Sequence, residues 1–127
     1  MVPTGKETIL LVEDEAPVRE IASALLRTLG YNVLEAADGP AALAILGQQN
    51  NIDLLFTDVV MPGGLNGVQL VRQALQRFPE LKTLYTSGYA DTAIFDKAML
   101  SRGAELLTKP YTKENLATKI RSILDQK

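Results

Sequence analysis

Leu54-Leu55-Phe56-Thr57-Asp58-Val59-Val60-Met61-Pro62-Gly63 is an apolar run that ends on one carboxylate and then enters a Pro-Gly turn. A short apolar run bounded by turn formers reads as a buried strand, and a charge at its carboxyl end stands at the mouth of the sheet. Asp58 is therefore a candidate site residue. Three further runs finish on polar groups: Ile9-Leu10-Leu11-Val12 on Glu13-Asp14, Leu84-Tyr85 on Thr86-Ser87, and Leu106-Leu107 on Thr108-Lys109-Pro110. In an open parallel sheet ligands bind outside the carboxyl ends of the strands, so the repeated pattern predicts one shared pocket.

Around these runs, strand and helix alternate. Strands are expected at Thr8–Val12, Asn32–Ala36, Leu54–Asp58, Lys82–Ser87 and Glu105–Thr108. A first helix carries Ile21, Ala22, Leu25 and Leu29 at helical spacing and stops at Gly30. A second opens at Asp38-Gly39-Pro40, where Asp38 or Gly39 caps and Pro40 fits the first turn. A third runs from about Val68 to Phe78 and a weaker one over 91–100; a last helix, capped by Thr112, has Leu116, Ile120, Ile123 and Leu124 on one stripe. Leu26, with Arg19 and Ser23 nearby, is read as partly exposed and as a candidate docking point. Five alternations without a hairpin signal call for a parallel sheet with right-handed crossovers and helices on both faces. The expected fold is a doubly wound, flavodoxin-like α/β domain of five strands in the order 2-1-3-4-5, which makes strands one and three neighbours and brings Glu13, Asp14 and Asp58 together.

Composition narrows the chemistry. At 127 residues there is room for one domain, and a net charge of -2 offers no general attraction to nucleic acid. The chain has no cysteine, which removes disulfides, thiolate metal sites and cysteine nucleophiles. It also has no histidine, which removes imidazole ligation, histidine-based triads and any phosphohistidine of its own. No apolar stretch approaches the roughly 20 residues of a membrane span, and no hydrophobic signal core precedes the first strand, so the expectation is a soluble, cytoplasmic protein without membrane contact.

Three carboxylates brought within a few ångströms repel one another, and a hard divalent cation relieves the repulsion. Mg²⁺ suits one or two carboxylates with water and phosphate oxygens, whereas a zinc site would want histidine or thiolate. Lys109 adds a point charge for phosphate and Ser87 a hydroxyl. A carboxylate can itself accept a phosphoryl group, so carboxylate, metal, hydroxyl and ammonium form a phosphoryl-transfer set.

Glu13-Asp14, Asp58 with Met61-Pro62-Gly63, Ser87-Gly88 and Lys109-Pro110, in this order and spacing, resemble the receiver (response regulator) domains of bacterial two-component systems. The resemblance spans about residues 7–126, leaving 1–6 as a flexible lead-in. It implies Asp58 as the phosphoacceptor, and Asp14, Asp58 and the Val60 carbonyl as Mg²⁺ ligands, with Glu13 acting through metal-bound water. Ser87 and Lys109 would bind the phosphoryl oxygens, and Lys109-Pro110 would be a cis peptide. The implied donor is a phosphohistidine on a sensor kinase or phosphotransfer partner, and the implied output is a switched surface for a downstream protein. Leu84 to Ala90 and Leu107 to Tyr111 are similar to receivers of hybrid sensor kinases, although stand-alone receivers share them, and the end at Lys127 is expected to leave no DNA-binding output domain.

Three features depart from or qualify the family pattern. Glu13 stands where Asp is more usual, and Leu106 where an aromatic switch residue is usual, leaving Tyr85, Tyr89 or Tyr111 as substitutes. Val60 and Tyr89 flank the acceptor with bulk that should obstruct an attacking water, so slow loss of the phosphoryl group is expected. Two rival readings are a Mg²⁺-dependent aspartyl-phosphate phosphatase and an unphosphorylated binding module. The first usually needs an acid two residues after the nucleophile, where this chain has Val60.

Overall fold

The computed structural model describes residues 2–49, 51–61, 65–87 and 105–126. Five parallel strands, β1 (Thr8–Val12), β2 (Asn32–Ala36), β3 (Leu54–Asp58), β4 (Lys82–Ser87) and β5 (Leu106–Thr108), form one sheet in the order β2-β1-β3-β4-β5. This is the expected doubly wound order. Among the described residues four helices accompany it: α1 (Ala16–Thr28), α2 (Gly39–Gln48), α3 (Gly67–Arg77) and α4 (Lys113–Leu124). The helix expected over 91–100 lies outside the described residues.

Every residue of β1 and β3 is buried, because each strand is covered on both faces. Alternation then splits the core in two. Ile9, Leu11, Leu54, Phe56 and Leu84 face α1 and α4, meeting Ala22, Leu26, Leu29, Leu116, Ala117, Ile120 and Ile123. Leu10, Val12, Leu55 and Tyr85 face α2 and α3, meeting Ala42, Leu46, Leu70, Val71 and Ala74.

The helix starts follow local chemistry. The Asp38 side chain accepts from the Ala41 N–H at 2.8 Å, and capping boxes pair Asn66 with Gln69 and Thr112 with Asn115. Gly30, at φ +100°, takes the left-handed conformation just past α1 that a side chain would resist.

Two expectations about α1 are corrected. Leu26 is fully buried and Ser23 nearly so, whereas Ile21 is 66% exposed. Apolar residues occupy enough positions on α1 for two stripes at helical spacing, and the seat of the helix against β1 and β2 selects Ala22, Leu26 and Leu29 for the core. Leu26 is therefore no docking point.

The stretch before β1, expected to be flexible, makes defined contacts. Val2 packs on the first core, the Gly5 N–H donates to the Leu29 carbonyl at 3.1 Å, and Arg121 Nη1 donates to the Thr4 carbonyl at 3.3 Å. Among the described residues no helix is long and apolar enough to cross a membrane.

Candidate functional site

The sheet order makes β1 and β3 neighbours, and their carboxyl ends carry the acids. Glu13, Asp14 and Asp58 each present one oxygen such that all three lie within 4.8 Å of one another. Glu13 and Asp58 are 4% and 6% exposed, so these charges are held out of water and need partners. Lys109, which follows β5, supplies one. Its Nζ stands 3.0 Å from Glu13 Oε1 and 3.1 Å from Asp58 Oδ2, bridging acids from two strands. Burial alone would lower the Lys109 pKa, but Glu13 and Asp58 outweigh it and hold the ammonium above its usual value. Burial, and then the adjacent Glu13, raise the pKa of Asp14.

Backbone ties fix these side chains. The Lys109 N–H donates to the Ser87 carbonyl at 2.8 Å, anchoring the lysine at the end of β4, and the Lys109-Pro110 bond is cis, as the resemblance implies. The Val59 N–H donates to the Thr86 carbonyl at 3.0 Å and the Gly67 N–H to the Val59 carbonyl at 2.8 Å. Gly67 is required here: a Cβ on it would overlap the Asp58 carbonyl oxygen.

Asp58 Oδ1, Thr86 Oγ1 and Ser87 Oγ are buried without a hydrogen-bond partner among the described residues. Leaving buried polar atoms unpaired is costly, so Asp58 Oδ1, at the carboxyl end of β3 within the acid cluster, marks a place built to receive something polar. The all-oxygen donor set suits a hard divalent cation. Three carboxylates against one ammonium leave a formal charge of -2, the charge such an ion cancels.

The structure thus brings together Glu13, Asp14, Asp58 and Lys109 and places Ser87 beside them at the strand ends. Val60 follows β3, is partly buried and packs on the second core. Gly88, Tyr89 and the Pro62–Gly64 stretch lie outside the described residues. Tyr111 packs its ring against Phe56, centroids 6.4 Å apart. Leu106 and Tyr85 are register partners across β4 and β5, so an aromatic ring stands on the strand next to the position where the family usually has one.

Sequence reasoning missed two contributors: Gly67 as the close approach beneath Asp58, and Arg19. Arg19 Nη1 donates to the Glu13 carbonyl at 2.8 Å. Nothing in local spacing signals either contributor.

Comparison with known proteins agrees with this geometry. Residues 9–121 match the response regulator receiver domain. The chain is 36% identical over 124 residues to the sensor kinase CckA of Brucella abortus (strain 2308), covering 97% of this chain and 13% of the kinase. It is 34% identical over 116 residues to the response regulator receiver protein CpdR of the same strain, covering 91% and 95% respectively. Among solved structures, the receiver domain of hybrid histidine kinase CckA superposes with a TM-score of 0.76 at 37% identity, covering 93% of this chain and 99% of that one. A receiver domain protein of Clostridium thermocellum superposes with a TM-score of 0.85 at 27% identity, covering 94% of each. With strand order, acid cluster and bridging lysine in place, the chain belongs to the response regulator receiver family, the phosphoacceptor signalling domains of two-component systems.

Proposed function

We propose that Asp58 is the phosphoacceptor of one receiver domain spanning residues 7–126. The observation that carries this is the state of its carboxylate: Oδ2 is held by Lys109 at 3.1 Å, while Oδ1 is buried with no partner among the described residues. An oxygen so placed is shielded from bulk water and not committed to another bond.

A carboxylate oxygen of Asp58 attacks the phosphorus of a phosphohistidine on a partner protein, the new P–O bond forming as the P–N bond breaks and the imidazole leaves. Lys109 orients Asp58 beforehand and pairs with the phosphoryl oxygens afterwards. Ser87 offers its hydroxyl proton to one of those oxygens, which gives the buried Oγ the partner it otherwise lacks. Glu13, Asp14, Asp58 and the Val60 carbonyl would hold Mg²⁺, Glu13 through water, and the ion supplies charge neutralisation for the transferring group.

The donor is a sensor histidine kinase or a histidine phosphotransfer domain, since the chain has no histidine of its own. A protein read as exchanging phosphoryl groups with kinases of this kind belongs in the cytoplasm. Its chemistry is acceptance and slow loss of the phosphoryl group, the bulk of Val60, two residues after Asp58, standing against an attacking water.

Incubation with acetyl phosphate and Mg²⁺, followed by intact-mass measurement, tests the reading. The expected result is addition of one phosphoryl group that decays slowly, does not form when Mg²⁺ is chelated beforehand and is absent in Asp58→Asn. Modification of Asp58→Asn to the same extent would overturn the assignment.

A further inference from the structure

Arg19 is one turn into α1, yet it reaches back to the β1–α1 turn. Its Nη1 donates to the Glu13 carbonyl at 2.8 Å. That carbonyl belongs to the peptide group joining Glu13 to Asp14, the two acids the turn contributes to the cluster. A peptide is a rigid plane, so holding its oxygen limits the rotation of both attached residues together.

Ahead of that peptide Glu13 is tied by its N–H to the Ala36 carbonyl at 3.1 Å and by its carboxylate to Lys109 at 3.0 Å, while the stretch from Asp14 into α1 has fewer ties. Glu15 caps α1 without a side-chain hydrogen bond, and among the described residues the side-chain bond inside the turn is the long Glu15 N–H to Glu13 Oε2 contact at 3.2 Å. Arg19 is itself braced from the sheet edge. Its Nε stands 3.5 Å from Glu35 Oε1 on β2, and Glu35 Oε2 accepts from Ser23 Oγ and from Arg27 Nη2, each at 3.4 Å. The guanidinium fork is therefore fixed at both ends, at the carbonyl and at the carboxylate.

Resting on the reading of the cluster as a divalent-cation site, we propose that Arg19 is a positioning residue. Braced by Glu35, it fixes the Glu13–Asp14 peptide and so sets both carboxylates of the turn for the ion. Groups that orient ligands from outside the coordination sphere typically change metal affinity 10–100-fold. Arg19 acts through a backbone oxygen, which places it at the lower end.

The sign of the effect separates positioning from simple charge. A cation beside three acids repels Mg²⁺, so a purely electrostatic Arg19 would bind metal less well than its neutral replacement. A positioning Arg19 does the reverse.

Calorimetric titration with MgCl₂ of the unaltered chain, Arg19→Gln, Arg19→Lys and Glu35→Gln decides the matter. Arg19→Gln is expected to weaken Mg²⁺ binding about 10-fold. Arg19→Lys keeps the charge without the fork and is expected to stay weak. Glu35→Gln, which loosens the brace alone, is expected to cost about 3-fold. In the metal-free protein, the Glu15 amide should exchange its proton faster in Arg19→Gln, with the amides of β1 unchanged. Equal or tighter binding by Arg19→Gln, when the unaltered chain binds Mg²⁺, overturns the role of Arg19 alone. Failure of the unaltered chain to bind Mg²⁺ overturns the cation site and this inference together.

Discussion

Glu7→Gln tests how the entry to β1 is tied to α4. The Glu7 carboxylate accepts from both terminal nitrogens of Arg121, at 2.6 Å from Nη2 and 3.0 Å from Nη1, a two-point pairing that fixes orientation as well as distance. Those bonds, against an opposing push from burial, bring the Glu7 carboxyl down from 4.5 to about 2. At about 1.36 kcal/mol per pH unit the shift has a ceiling of about 3.4 kcal/mol. The two side chains are 24% and 29% exposed, so water screens the pair. A loss of about 1–2 kcal/mol near pH 7 is therefore expected for Glu7→Gln.

Because the folded-state pKa is depressed, this stability is whole above about pH 4.5 and is lost as the pH falls toward about 2. Urea unfolding followed by circular dichroism should show the midpoint of Glu7→Gln about 0.5–1 M below that of the unaltered chain near pH 7. Near pH 3 the gap should shrink to less than half. A gap of the same size at both pH values would refute the pairing as its source.

Two further outcomes are expected. Lys109→Met leaves Glu13 and Asp58 without their bridging cation and should cost about 2–3 kcal/mol without metal, while saturating Mg²⁺, worth about 2.7 kcal/mol at a hundredfold excess over Kd, should recover most of it; thermal melts with and without Mg²⁺ check this, and a variant as stable as its parent in chelator refutes it. Leu26→Ala should lose about 2–5 kcal/mol by opening a cavity, whereas Ile21→Ala should stay within about 0.5 kcal/mol, and equal melting temperatures for the two would refute the seating of α1.

The strands were legible because apolar runs punctuated by glycine, proline and polar residues leave little choice of boundary. β1, β2 and β4 coincide with the expected residues, and β5 is one residue shorter. The acid cluster followed from topology alone, since once β1 and β3 are neighbours Glu13, Asp14 and Asp58 must converge.

Helix phase was harder. On α1, positions 21, 22, 25, 26 and 29 are all apolar, and periodicity cannot choose between stripes separated by one residue; packing against β1 and β2 does. Supporting contacts were harder still. The tie from Arg19 to the Glu13 carbonyl uses a backbone acceptor, which every residue has, so no sequence pattern announces it. The Asn66–Gln69 capping box of α3 was present in the sequence as an Asn three residues before a Gln, but the glycine-rich loop around it obscured the helix start.

The sheet order also divides the site by lifetime. Its acids extend from β1 and β3, interior strands whose hydrogen bonds on both sides break only when the whole sheet does. Its lysine follows a three-residue strand at the sheet margin, none of whose residues is fully buried. Opening such an edge costs less than opening the interior, so the carboxylate half of the site rests on the longer-lived strands and the ammonium half depends on its ties to Ser87, Glu13 and Asp58 to stay in place.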